Sequence, residues 1–166
     1  MKILAVNAGS SSLKVQLLEM PQETLIAKAQ VERIGLDNAV VTVKYDFENV
    51  PGGQKWEVRD AVVKNHSDAV KAIMEKFTEF HIIDCVEDIK GVGHRVVQGG
   101  AYFDKTEIAT EEVVEKIDEL KFINSASRLK RTVFILYLIP ALPKDVFTYF
   151  FGLTRIRWRN FILLSL

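Results

Sequence analysis

Apolar and polar residues alternate through the first sixty positions in short runs separated by turn-forming residues, the period of strands. Lys2–Asn7 and Leu13–Glu19 read as the two arms of a hairpin, with a loop longer than the tightest turn types. Thr24–Arg33 and Ala39–Phe47 continue in β-branched or alternating patterns, and Gln54–Arg59 follows Pro51-Gly52-Gly53, a strong turn signal. Then the period changes. From Ser67 to His81 the apolar residues Ala69, Val70, Ile73, Met74, Phe77 and Phe80 form a helical stripe. Asn65 or Ser67 serves as its N-cap, and Asp68 complements the positive end of the helix. Ile89–Val97 reads as a further strand. A second helix is expected after Thr110, with Glu111 and Glu112 in its first turn and Val113, Val114, Ile117 and Leu120 on its buried face. Several strands followed by alternating helix, strand and helix predict an α/β domain with a mixed sheet and flanking helices.

Composition narrows the class. At 166 residues the chain is long enough to bury a core without staples, and its 48% apolar and 27% charged content is that of a soluble globular domain. Cys85 is the one cysteine, so no internal disulfide forms; in the run His81–Val86 it reads as a small buried hydrophobe. The first residues carry neither a basic leader nor a long apolar stretch, so a cytoplasmic protein is expected. No nucleic-acid partner is expected.

The net charge of zero conceals a division. Residues 1–125 carry 15 Lys/Arg against 21 Asp/Glu, a balance of −6; residues 126–166 carry seven basic residues and the single acid Asp145, a balance of +6. Half of the 16 aromatics sit in those last 41 residues. The tail thus asks for a separate account. Its apolar run within Arg131–Leu142 is interrupted by Pro140 and falls short of the ~20 residues that span a bilayer, and Arg155, Arg157 and Arg159 lie inside the next one. A membrane partner is therefore not expected, although basic and aromatic residues together also suit a membrane surface.

Two segments carry candidate chemistry. In Asn7–Lys14, "NAGSSSLK", Gly9 lets a backbone approach a ligand closely, successive N–H groups can form an anion-binding concavity, serine hydroxyls add donors and Lys14 adds charge. Asn7 offers both donor and acceptor for a phosphate or a metal-bound water. The segment is not a Walker A loop, whose lysine leads into a helix; here it leads into a strand. Residues of these types also make ordinary turns, so composition leaves both readings open. In Gly91–Gly100, "GVGHRVVQGG", Arg95 presents a planar fork suited to carboxylate or phosphate, and also suits a surface ion pair. His94 must point to the opposite face of the strand from Arg95, and His66 and His81, flanking the first helix, read as structural or solvated.

Taken together, "VNAGSSSLK" at the start and "GHRVVQGG" farther along closely resemble acetate kinases, the acetokinase family of the sugar kinase, Hsp70 and actin superfamily. The resemblance runs from Met1 to Leu120 and takes in "IGLDNA", "NHSDAVKAIME" and "FDKTEIATEEVVEKIDEL". It implies a ribonuclease-H-like, actin-like ATPase domain, one of two in that family. It also implies phosphoryl transfer between ATP and acetate, giving acetyl phosphate, with Mg²⁺, in a cytoplasmic homodimer. Carried over by motif, Asn7 falls at the family's magnesium position, and Lys14, Ser10 and Ser12 at its ATP-phosphate loop. Arg95 falls at the residue that binds carboxylate or acyl phosphate, and Val97 at the apolar wall around the acetate methyl.

Two departures qualify the resemblance. The family usually reads "HRVVHGG" where this chain has Gln98, which keeps hydrogen bonding but carries no proton. After Leu120 the family continues into "APLHNP" and a second domain that holds its catalytic aspartate, histidine and arginine. This chain instead reads "KFINSASRLKRTVFILYLIPALPKDVF". The expectation is an acetate-kinase-like unit over residues 1–125 that is inactive alone. Residues 126–166 read as a tail without family resemblance, arising from a shifted reading frame, a divergent or fused segment, or a membrane-associating one. That tail is expected to pack back on the first unit or to pair with a second copy. A propionate-type kinase and a non-catalytic module that binds phosphate or acyl phosphate are the alternative functions.

Overall fold

The hydrophobic alternation becomes a sheet whose two faces differ sharply. In a computed structural model, which describes residues 1–95, 107–108, 110, 112–113, 115–116 and 147–151, strands β1 (Lys2–Ala8), β2 (Ser12–Glu19), β3 (Thr24–Glu32), β4 (Ala39–Tyr45) and β5 (Gln54–Ala61) form an antiparallel meander. β6 (Ile89–Arg95) then lies parallel to β1 on its other side. β8 (Phe147–Phe151) pairs parallel with β6, and the short β7 (Glu107–Ile108) pairs antiparallel with β8. Among the described residues the order is β5-β4-β3-β2-β1-β6-β8-β7, the mixed sheet that the succession of strand and helix periods predicts.

One face of the sheet is the core. Leu4, Val6 and Ala8 of β1, Leu13, Val15 and Leu17 of β2, Ala27, Ala29 and Val31 of β3, and Val41 and Val43 of β4 all point to it. Helix α1 (His66–Glu79) covers that face through Ala69, Ile73 and Phe77, each fully buried. Burying a side chain such as Phe77 contributes about 1.5–3 kcal/mol, so the three together hold the helix to β2 and β4. Tyr45 stacks on Phe80 with ring centroids 4.8 Å apart, and Trp56 meets the same ring edge-on at 6.0 Å. This aromatic group seats the end of α1 on the outer strands.

Local chemistry sets the limits of the helix. Asn65 Oδ1 accepts from the Asp68 N–H at 2.9 Å, so Asn65 rather than Ser67 is the N-cap. The C-terminus comes two residues before the expected His81. His81 adopts φ 53°, and the His81 and Ile82 N–H groups return to the Thr78 and Phe77 carbonyls at 3.0 and 2.8 Å, a Schellman closure. The second helix is described in part: residues 112, 113, 115 and 116 are helical, and the Val113 N–H donates to Thr110 Oγ1 at 3.3 Å. Val114, Ile117 and Leu120 of its expected apolar face lie outside the described residues, as do Arg131–Leu142.

Cys85 corrects the sequence reading: it is exposed. The apolar run is buried at Ile82 and Ile83, but the chain then turns outward into a 3₁₀ turn, Val86–Asp88, at whose start Cys85 stands. A hydrogen bond to the Glu87 carboxylate, with desolvation and the Asp88 charge, raises its pKa, so the thiol is held in its unreactive form. The tail meets one of its two expected fates in part, since β8 packs back onto β6.

Gly53 tests the turn that launches β5. It has φ 77°, and a Cβ there would meet Phe47 Cε1 at 2.7 Å and the Tyr45 carbonyl oxygen at 2.9 Å. Gly53→Ala is expected to destabilise the fold by about 1–3 kcal/mol, read as a lower urea midpoint; an unchanged midpoint would show that the turn relaxes freely.

Candidate functional site

The hairpin loop between β1 and β2 comprises Gly9, Ser10 and Ser11, shorter than the alternation suggested because Ala8 and Ser12 extend the strands. Two of its three carbonyls, those of Gly9 and Ser11, are engaged by the scaffold. The Gly9 N–H donates to the Ser12 carbonyl at 2.7 Å, and the Ile34 N–H donates to the Ser11 carbonyl at 2.9 Å. His66, the first residue of α1, donates from Nε2 to the Gly9 carbonyl at 2.8 Å. Among the described residues nothing accepts from the Ser10 and Ser11 N–H groups. Two successive N–H groups without an acceptor, beside engaged carbonyls, are donors of the kind that an anion-binding concavity uses. Gly9 leaves room for the Ser12 hydroxyl, whose Oγ would lie 2.5 Å from a Cβ placed there and would have to rotate away.

Asn7 and Lys14 stand directly opposite one another on β1 and β2, with side chains on the sheet face away from α1. Both line a cleft of about 390 Å³, together with Gln16, Lys28, Gln30, Thr42 and Lys44. The structure thus brings Asn7 and Lys14 together at the mouth of the Ser10–Ser12 turn. Arg95 is the last residue of β6, one position beyond His94, whose partner in register is Val6. Its backbone therefore ends beside the end of β1. Val97 and Gln98 lie outside the described residues.

His94 takes the other face and no part in the cleft. It is 1% exposed, and burial lowers its pKa to about 3, so it is neutral at ordinary pH. Sequence reasoning missed the part played by His66, which ties the loop to the helix. A histidine at a helix start gives no signal of a partner 57 residues away. It also missed Lys28, Gln30, Thr42 and Lys44. Their signal was present in "AKAQ" and "VTVKY", where every second residue is polar, but alternation alone does not say which strands are neighbours.

With this geometry in place, comparison with known proteins decides the family. The acetokinase family model matches residues 2–133. The chain belongs to the acetokinase family. It is 43% identical over 122 residues to an acetate kinase of Streptococcus pneumoniae, covering 74% of this chain and 29% of that protein. It is 40% identical over 144 residues to an acetate kinase of Staphylococcus epidermidis, covering 85% and 33%. The crystal structure of Porphyromonas gingivalis acetate kinase superposes with a TM-score of 0.72 at 30% identity, covering 91% of this chain and 37% of that one. The chain therefore spans about a third of the length of these relatives. Among the described residues no helix is long and apolar enough to cross a membrane.

The buried histidine carries a pH signature. An unfolded histidine titrates near 6.5 and the folded one near 3, so below pH 6.5 the unfolded chain binds the extra proton. Stability present above pH 6.5 is lost as pH falls towards 3, at up to about 1.4 kcal/mol per pH unit. Urea unfolding at pH 7, 6 and 5 is expected to show this fall, and His94→Gln to flatten it; equal slopes in parent and variant would remove His94 as the cause.

Proposed function

We propose that this chain forms the phosphate-holding side of an acetate kinase cleft, serving phosphoryl transfer between ATP and acetate. The observation that carries the reading is the loop at Gly9–Ser12, whose Gly9, Ser11 and Ser12 carbonyls are engaged within the fold while the Ser10 and Ser11 N–H groups have no acceptor among the described residues, with Lys14 two residues farther along β2. Family membership supplies the substrates: the relatives are named acetate kinases. In this reading Ser10 and Ser12 hold phosphate oxygens through the loop, and Lys14 balances their charge. Arg95 clamps the carboxylate or acyl phosphate with its planar fork, and Val97 walls the acetate methyl.

The donor set fits ATP phosphates better than it fits a bare cation. Among the described residues no three His, Cys, Asp or Glu side chains gather to hold a metal. Mg²⁺ is commonly bound through substrate phosphates with few protein ligands, so it is read as arriving on the nucleotide, with the Asn7 carboxamide orienting a water of its shell. The ion supplies neutralisation of phosphate charge. Residues 1–125 act as the family unit and 126–166 as an appended tail, in the cytoplasm, in a protein that pairs as a homodimer.

Phosphoryl transfer depends on charge stabilisation from both sides of a cleft, and these 166 residues correspond to about a third of an acetate kinase. Alone they are expected to show no ATP-dependent acetate phosphorylation above background in a coupled assay. Turnover in the range of ordinary kinases, roughly 1–100 s⁻¹, would overturn that.

Binding should survive where catalysis does not. A hydrogen bond to a charged group contributes about 1.5–3 kcal/mol, so Lys14→Ala and Arg95→Ala are each expected to weaken acetyl phosphate binding about tenfold or more in calorimetric titration. Unchanged affinity in both variants would return the loop to an ordinary turn.

A further inference from the structure

Three lysines form a row across the sheet. Lys28 on β3 is directly opposite Lys44 on β4, and Lys44 is directly opposite Lys55 on β5. Residues so paired have Cβ atoms about 4.5–5.5 Å apart, and like charges there are destabilising. Lys55 is answered by Glu57 Oε2 at 2.6 Å, a carboxylate that also holds Arg59 at 2.8 Å. The Lys55 hydrogen bond is the leading reason that the Glu57 carboxyl titrates below its usual range. Lys28 and Lys44 are exposed and have no carboxylate partner among the described residues. Glu32, the one acid of β3, stands two same-face pairs along from Lys28, opposite Ser12, outside the cleft lining.

The unanswered pair faces into the cleft. Lys14 lines the same space from β2, where it is opposite Gln30 and so diagonal to Lys28, a separation of about 7–8 Å. Gln16 and Gln30 add neutral donors beside the ammonium groups, while the Thr42 hydroxyl donates to Glu57 Oε2 at 3.4 Å, the carboxylate already engaged by Lys55 and Arg59. Ala5 is the apolar side chain on the cleft face, Val15 and Ala29 turning theirs to the core, and no ring in the lining offers a base a surface to stack on. Repeated positive charge spaced along a groove, without an aromatic wall, matches an anion whose charge also repeats.

We propose that this cleft is a second anion site that holds a linear oligophosphate between Lys28, Lys44 and Lys14. It lies beside the serine loop and shares Asn7 and Lys14 with it, but the Lys28–Lys44 pair that defines it belongs to β3 and β4, away from the loop, so it does not depend on the acetate kinase reading of that loop. The ligand offsets the repulsion that the bare sheet carries, which makes binding and stability report on one another.

The probe is inorganic tripolyphosphate, titrated calorimetrically into the full chain in magnesium-free buffer at low salt. The parent is expected to bind it, and the Lys28→Gln/Lys44→Gln double variant to lose at least tenfold in affinity. Lys28→Arg/Lys44→Arg, which keeps the charge, should stay within threefold of the parent. Without ligand, Lys44→Gln should melt about 1–3 °C above the parent, because a like-charged pair is gone; saturating tripolyphosphate should reverse that order. Magnesium-free ATP serves to tell the phosphate chain from the nucleoside: affinity within tenfold of tripolyphosphate supports a site that reads charge alone, and much tighter ATP binding overturns it. Absence of tripolyphosphate binding by the parent, or a double variant within twofold of it, also overturns the proposal. Acetyl phosphate affinity should be unchanged in the double variant, and its loss there would overturn the separateness of the two sites. If acetyl phosphate fails to bind the parent while tripolyphosphate binding still depends on Lys28 and Lys44, this site stands and the reading of the loop falls.

Discussion

The hydrogen bond from His66 Nε2 to the Gly9 carbonyl joins the two halves of the architecture. It fixes the first turn of α1 against the hairpin loop, and so ties the helix that covers the core to the turn that faces outward. It also removes an acceptor from the loop. A carbonyl left pointing at the loop opening would repel an anion; engaged with His66, it leaves the neighbouring N–H groups to set the local field. Ile34, reaching the Ser11 carbonyl from the turn after β3, does the same at the next position but one. The loop's polarity is thus a product of its neighbours.

The sheet divides labour between its faces by the strict period of two. Leu13, Val15 and Leu17 of β2 go to the helix side, while Lys14 and Gln16 between them go to the cleft. The same division on β1 puts Val6 in the core and Asn7 in the cleft. On β6 it sends His94 inward, where burial holds it neutral. A shift of one residue in any of these registers would exchange an ammonium for a leucine, so the buried face specifies the functional one. Packing and binding are the same constraint seen from two sides.

Much of this was legible beforehand. The strands of the meander, the change of period at α1 and the Asn65 cap follow from local pattern, and the structure agrees with it; the site candidates Asn7 and Lys14 came from the same stretch, and register sets them opposite each other on neighbouring strands. Cys85 was misread because a run of apolar neighbours does not reveal where the chain turns outward. The strand at Phe147–Phe151 was not foreseen, since its partner β6 is more than fifty residues earlier and its composition has no period of its own.

By itself, then, the sequence determined which residues alternate, where the helix is capped, and which short motif resembles a phosphate loop, because each depends on neighbours a few positions apart. Tertiary structure alone decided that His66 would silence the Gly9 carbonyl and that Lys28 would face Lys44 across a strand boundary. Those outcomes depend on strand order and register, which are set by how the whole apolar face is buried, and burial is a property of the assembled sheet and helix that no local window of residues contains.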